Sequence, residues 1–173
     1  MNQLFNYHTH SRFSDGSAEP KAYIEEAIKQ GFSSIGFSEH SVLPFENTFA
    51  LQAGSEEAYI AEINSLKSEY RDQLQILMAL EADYIPGISN DFQALKSSFG
   101  LDYIIGSVHL VKSHHSKDLW FIDGPKWETY DKGLHEIFGG DIQSGVTAYW
   151  HQINQMIEEE LFDIIGHLDK IKM

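Results

Sequence analysis

The sequence predicts an α/β fold built on a parallel sheet, and three observations carry that reading. Short apolar runs alternate with longer amphipathic segments, the order expected of repeated βα units. Helical start and stop residues bracket the amphipathic segments. Each of five apolar runs ends on a His or a Glu, and in βα folds reactive groups gather beyond the carboxyl ends of the strands. The 173 residues fit one domain, 1–173, with room for a sizeable core.

Taken in order, Leu4 to Tyr7 reads as a strand ending at His8-Thr9-His10. Ser17 or Glu19, with Pro20, opens a helix that Gly31 closes. Ser34 to Phe37 is a second strand, ending at Ser38-Glu39-His40. After a loop from Leu43 to Gly54, Ser55 caps a helix whose apolar face is Tyr59, Ile63, Leu66 and Tyr70, at spacings of a helical period. Ile76 to Leu80 forms a third strand that terminates at Glu81. Asn90 to Phe99 is a short helix stopped by Gly100, and Tyr103 to Val108 is a fourth strand ending at His109. A long loop follows, then a helix from Trp127 to Phe138. Val146, Trp150, Ile153, Ile157 and Leu161 mark the apolar face of a further helix. Phe162 to Ile165 is a fifth strand, ending at Gly166-His167.

Composition removes several function classes. The formal charge is −14 and only two arginines occur, Arg12 and Arg71, so no surface for nucleic acid or an anionic membrane is expected. The absence of cysteine excludes disulfides, thiolate–zinc sites and a cysteine nucleophile. No secretory signal opens the chain, and no apolar run approaches the ~20 residues of a membrane span, so a soluble cytoplasmic protein is the expectation. P-loop and Rossmann fingerprints are missing, as is the G-x-S-x-G elbow of serine hydrolases. An acidic chain that handled a phosphate ester would need bound cations, and nine histidines make that concrete. The sequence carries no signal of oligomeric state.

In His8-Thr9-His10 the alternation of an extended strand puts both imidazoles on one face, where one divalent ion can accept both. Ser14-Asp15-Gly16 follows. Later come Gly36-Phe37-Ser38-Glu39-His40, Leu80-Glu81-Ala82-Asp83-Tyr84, Gly106-Ser107-Val108-His109 and Ile165-Gly166-His167-Leu168-Asp169. In these five ordered motifs the chain resembles the PHP (polymerase and histidinol phosphatase) family.

That resemblance implies a distorted (β/α)7 barrel holding a cluster of up to three divalent ions, commonly zinc, manganese or iron. It implies that His8 and His10 bind one metal, that Glu81 bridges it to a second completed by His109 and His167, and that His40 with Asp15 holds a third. The implied activity is phosphomonoester hydrolysis by metal-activated hydroxide, with L-histidinol phosphate as the first substrate to consider. Imidazoles must be neutral to ligate, so activity is expected to fall in acid. Leu119-Trp120-Phe121-Ile122-Asp123-Gly124-Pro125 looks like the aromatic-Asp loop of the family's histidinol phosphatases, an aromatic there stacking on the substrate ring and Asp123 pairing with a cationic group. Arg12, beside the first motif, is read as a phosphate contact.

The family pattern also has an Asp-x-His near the end of the barrel, which this sequence lacks up to Met173. A barrel of this kind usually needs ~250 residues. The expectation is therefore the first five or so βα units, with the rest of the barrel absent. Other phosphoesters or nucleotides remain alternative substrates, and a catalytically incomplete metal-binding module is an alternative of another class. Plainer roles are read for the remaining polar residues: supporting or surface for Glu39 and Asp169, a solvated loop for His114 and His115, structural for His135 and His151. Asp83 and Tyr84 serve the pocket or the packing, and Glu158-Glu159-Glu160 is a solvated helix face.

Overall fold

The computed structural model describes residues 4–113, 116–124 and 126–172. In chain order these form β1 (Leu4–Thr9), α1 (Pro20–Gln30), β2 (Phe32–His40), α2 (Glu56–Glu69), β3 (Gln75–Asp83), α3 (Phe92–Phe99) and β4 (Tyr103–Ser107). There follow β5 (Leu110–Lys112), β6 (Leu119–Phe121), α4 (Trp127–Phe138), α5 (Ile142–Glu159), β7 (Ile164–Ile165) and a closing 3-10 turn, Lys170–Lys172.

Five strands pair in parallel in the order β1-β2-β3-β4-β7. The order follows the chain without reversal. That is the wall of a barrel, since a doubly wound sheet reverses at a switch point. The result is a curled half-barrel of five strands.

Strand periodicity then decides what faces inward. On β3, Ile76, Met78, Leu80 and Ala82 enter the main core, while Leu77 and Ala79 belong to a separate inner cluster with Tyr103 and Ile105 of β4. Glu81 has the parity of Leu77 and Ala79, so the pleat turns it into the barrel interior. Tyr59 of α2 closes the main core from outside; its hydroxyl lies 3.0 and 2.9 Å from the carbonyls of Phe37 and Ala79.

The helix signals hold with small changes. Pro20 sits in the first turn of α1, and Gly31 ends it at φ 78°, a left-handed position glycine adopts at little cost. Ser55 occupies the N-cap position of α2 but does not cap it: its hydroxyl donates to the Gln52 carbonyl at 2.6 Å. Helix α3 begins two residues after Asn90, where the Asp91 carboxylate accepts the Ala94 N–H at 2.7 Å.

Two expectations fail. The long loop after His109 contains an antiparallel hairpin, β5–β6. Trp120 on that hairpin is fully buried, donating its indole N–H to the Tyr130 carbonyl at 2.9 Å, so it is core and not pocket. Helix α5 is turned by about one residue from the predicted face. Trp150 and Ile157 are 40 and 52% exposed, and Leu161, 69% exposed, lies past the end of the helix at Glu159, whereas Tyr149, Gln152, Ile153 and Met156 face inward. The cause is polar and steric together. Gln152 satisfies three backbone groups, donating to the Tyr84 and Leu110 carbonyls and accepting the Lys112 N–H. Gly145 lies so close to Trp120 that a Cβ there would meet the indole at 2.7 Å. Among the described residues no helix is long and apolar enough to cross a membrane.

Candidate metal centre

Glu81, 1% exposed at the end of β3, is the middle of the site. Its Oε2 lies 3.0 Å from His8 Nε2, 3.1 Å from His10 Nε2 and 3.5 Å from His40 Nδ1. Its Oε1 lies 3.0 Å from His167 Nε2 and 3.5 Å from His109 Nε2, and accepts a 2.6 Å hydrogen bond from the Ser107 hydroxyl. One carboxylate thus meets five imidazoles, delivered by the ends of the other four parallel strands. His109 Nε2 and His167 Nε2 face each other at 3.1 Å.

Asp15 joins from the loop after β1, its Oδ1 2.9 Å from His10 Nδ1 and its Oδ2 3.7 Å from His40 Nε2. Donor atoms lie within 4.8 Å of one another in four sets of three: His8, His10 and Glu81; His10, Asp15 and His40; Glu81, His109 and His167; and His40, Asp83 and His109. All seven residues read as metal ligands from the sequence are therefore brought together. The donor set also fits a divalent cation chemically. Imidazole and carboxylate suit zinc and its neighbours, and His40 Nδ1 is buried with no hydrogen-bond partner among the described residues, its lone pair 3.5 Å from Glu81 Oε2.

Two buried carboxylates beneath these residues hold them in place. Asp83 accepts both the backbone N–H of His109, at 2.8 Å, and its Nδ1, at 2.9 Å. A carboxylate can only accept, so the Nδ1 carries the proton and Nε2 is presented to the cluster. Glu39, fully buried, takes the Ser11 N–H at 3.0 Å and the Ser11 hydroxyl at 2.6 Å, and also accepts from the Ser14 hydroxyl. It anchors the loop that carries Asp15. The sequence marked Asp83 and Glu39 only by adjacency to Glu81 and His40.

Charge at the site follows from this packing. Burial works against ionisation of Glu81, yet hydrogen bonds from His10, His167 and His8 outweigh it and hold the carboxyl well below its usual range. For His10, burial is likewise overcome by Asp15 and Glu81, and the imidazolium is held up to about 10. His109 rises to about 9, with Asp83 overcoming burial. His40 goes the other way, to about 4, through burial and the neighbouring charge of His109. A cation binding these nitrogens takes the place of protons, so its affinity rises with pH.

The remaining candidates are placed as follows. Arg12 is exposed, its guanidinium on Glu19 at 3.3 Å and on the Ser17 carbonyl, and among the described residues no hydrogen bond or ion pair joins it to the cluster. The cation at the cluster's edge is instead Lys170, 2.5 Å from Asp123 Oδ1, while Asp123 Oδ2 lies 3.6 Å from His109 Nε2. Lys170 lies one residue past the last motif, and nothing in the sequence marked it. His135 and His151 are exposed on α4 and α5. His114, His115 and Pro125 lie outside the described residues.

Comparison with known proteins gives one consistent answer. The model of the PHP domain family matches residues 6–173. A "Probable histidinol-phosphatase" of Deinococcus radiodurans is 27% identical over 172 residues, 98% of this chain and 62% of that protein. The histidinol-phosphatase of Bacillus subtilis is 40% identical over 120 residues, 63% of this chain and 45% of the relative. The chain thus spans about half to three-fifths of the length of these relatives. Among solved structures, a candidate histidinol phosphatase of Listeria monocytogenes superposes with a TM-score of 0.79 at 21% identity, over 97% of this chain and 68% of that one. The histidinol phosphate phosphatase of Lactococcus lactis, complexed with zinc, L-histidinol and phosphate, gives 0.57 at 24% identity, over 96% and 58%. At these identities the two structures speak for the fold.

Proposed function

The chain belongs to the PHP domain family, and from that premise we propose that it is a metal-dependent phosphomonoesterase whose first substrate is L-histidinol phosphate. The observation that carries this reading is Glu81, a buried carboxylate with imidazoles on both oxygens. The names of the curated relatives and the zinc, histidinol and phosphate of the Lactococcus protein support the choice of substrate. Arg12, bonded to Glu19 and the Ser17 carbonyl, would have to leave these partners to contact phosphate.

Up to three divalent ions would be held, by His8, His10 and Glu81, by Glu81, His109 and His167, and by His10, Asp15 and His40, with zinc the first metal to test. Bound there, they supply Lewis acidity, drawing charge from phosphoryl oxygens and making water a competent nucleophile at neutral pH. The chain's own groups set the stage for that chemistry. Glu81 keeps its two oxygens on separate imidazole sets, held on one side by Ser107. Asp83 keeps Nε2 of His109 free to ligate. Asp123, paired with Lys170, puts a balanced ion pair beside His109, and a cationic group of the substrate competes with Lys170 for that carboxylate. A cytoplasmic location and a role in histidine biosynthesis go with this reading.

A second reading, a metal-binding module without turnover, is favoured by one observation. His8 and His167 come from the two edge strands, and their side chains are 36 and 29% exposed, leaving the cluster open on that side. One experiment separates the two. The protein is loaded with zinc or manganese, its metal content measured, and phosphate release followed from L-histidinol phosphate and from other phosphomonoesters. Turnover that needs metal and prefers L-histidinol phosphate supports the first reading. Bound metal without release of phosphate from any ester supports the second.

A further inference from the structure

Away from the metal centre, Trp120 of the β5–β6 hairpin packs between α4 and α5. A Cβ at Gly133 of α4 would meet its ring at 2.5 Å, and one at Gly145 of α5 at 2.7 Å, so each helix offers the indole a bare notch. Phe138, in the last turn of α4, lies against the same ring with centroids 5.4 Å apart. Beyond this wedge the two helices leave a cavity of about 780 Å³, within the ~300–1,000 Å³ of small-molecule sites. None of its lining residues belongs to the metal centre.

The lining is of two kinds. Ile137, Phe138 and Ala148 are half-buried against the main core and form an apolar floor. Asp141, Ser144 and Thr147 form a polar wall whose oxygens have lone pairs but no proton to give. The Ser144 hydroxyl donates to Asp141 Oδ2 at 2.7 Å, and the Thr147 hydroxyl to the Gln143 carbonyl at 2.8 Å. The Asp141 carboxylate caps α5 by accepting the N–H groups of Gln143 and Ser144, and these contacts, the Ser144 hydroxyl first, hold it below its usual range. Ser144 and Thr147, three residues apart on one helix, share a face. No Lys or Arg lines the cavity. His151, at its far end, is about 15 Å along the helix axis from Asp141. The positive amino end of α5 is offset by Asp141 and by the carboxyl end of α4, which meets it at Gly139 and Gly140.

We propose that this cavity is a second binding site, for a primary ammonium compound with a compact apolar tail. An ammonium group carries three N–H donors and no acceptor, the complement of one carboxylate and two hydroxyls whose protons are already committed. The tail lies on Ile137, Phe138 and Ala148 and removes their apolar surface from water. An alcohol of the same shape brings a single donor and no charge. A carboxylate of the same shape brings only acceptors, and its charge is opposed by Asp141 and by the −14 of the whole chain.

The test is a matched series, 3-methylbutylamine, 3-methylbutan-1-ol and 3-methylbutanoate, titrated into the chain in the presence of zinc and followed by amide NMR. The amine is expected to shift the amides of residues 141–148 and to saturate at about 1–10 mM. The alcohol is expected to bind there about tenfold more weakly, and the carboxylate to give no saturable shift. Asp141→Asn keeps a good helix cap and removes the charge, while Thr147→Val keeps the branched shape and removes the oxygen. Each is expected to weaken the amine about tenfold, and Asp141→Asn to leave the alcohol unchanged. The proposal is overturned by amine shifts confined to other residues, by equal affinity for amine and alcohol, or by full amine affinity in either variant.

Discussion

Removing the Glu39 side chain tests how the cluster is supported from below. In Glu39→Ala three donors lose their acceptor: the Ser11 N–H, the Ser11 hydroxyl and the Ser14 hydroxyl. Ser11 is fully buried, so its two groups cannot turn to water, whereas Ser14 is only partly buried and can. Two stranded buried groups at about 1–3 kcal/mol each give a loss of about 4 kcal/mol. For a chain of this size that lowers Tm by about 8–16 °C. Glu39→Gln keeps the shape and one acceptor oxygen and is expected to lose about half as much.

The same change reaches the site through the loop. Ser11 accepts the N–H groups of Ser14 and Gly16 at 3.1 and 2.9 Å, and Asp15 sits between them. Loosening Ser11 therefore unfixes Asp15 from His10 and His40, while Glu81, His109 and His167 are fixed by other strands. Urea unfolding followed by tryptophan fluorescence reads the stability, and metal content per chain reads the site. The expected outcome is loss of the metal held with Asp15 and retention of the metal held by His109 and His167. A stability within 1 kcal/mol of the unaltered protein, or equal loss of metal from both sets, refutes the reasoning.

Three further outcomes follow from the same geometry. Asp83→Ala can no longer fix the tautomer of His109, and metal affinity at the Glu81–His109–His167 set is expected to drop about 10–100-fold by chelator competition. Gly166→Ala puts a methyl group against the Ser107 hydroxyl that bonds Glu81; a loss of about 1–3 kcal/mol in urea unfolding is expected, with weaker metal binding at the same set. Asp163 accepts the Ile104 N–H at 2.9 Å and pairs with Lys96 at 2.6 Å; burial opposes its ionisation, but these contacts outweigh it and lower its pKa. A lowered folded pKa means stability present above the unfolded value of 3.8 and lost as pH falls through the folded one. The stability gap between the unaltered protein and Asp163→Asn is therefore expected to be constant above about pH 5 and to narrow below pH 4. A gap that stays constant down to pH 3 contradicts the assignment.

What the sequence made legible was what depends on one strand at a time. A parallel strand needs only its own apolar run and its own terminal residue to be recognised, so His8, His10, His40, Glu81, His109 and His167 could each be assigned to a strand end. Their convergence then follows from strand order alone. What stayed hidden depends on two segments meeting. The predicted face, Val146, Trp150, Ile153, Ile157 and Leu161, has a helical spacing as good as that of the buried Tyr149, Gln152, Ile153 and Met156. Only the close approach of Gly145 to Trp120 and the three backbone bonds of Gln152 choose between the faces. Arg12 looked like a site residue because it follows His10 by two, yet Glu19 and the Ser17 carbonyl claim it. Lys170 carried no signal in the sequence, yet Tyr149 and Tyr130 hold the segment around it through the carbonyls of Leu168 and Ile171, bringing the ammonium to Asp123. In this fold the residues that could hold metal are therefore written strand by strand, while the buried face of α5 and the place of Lys170 are settled only where two segments meet.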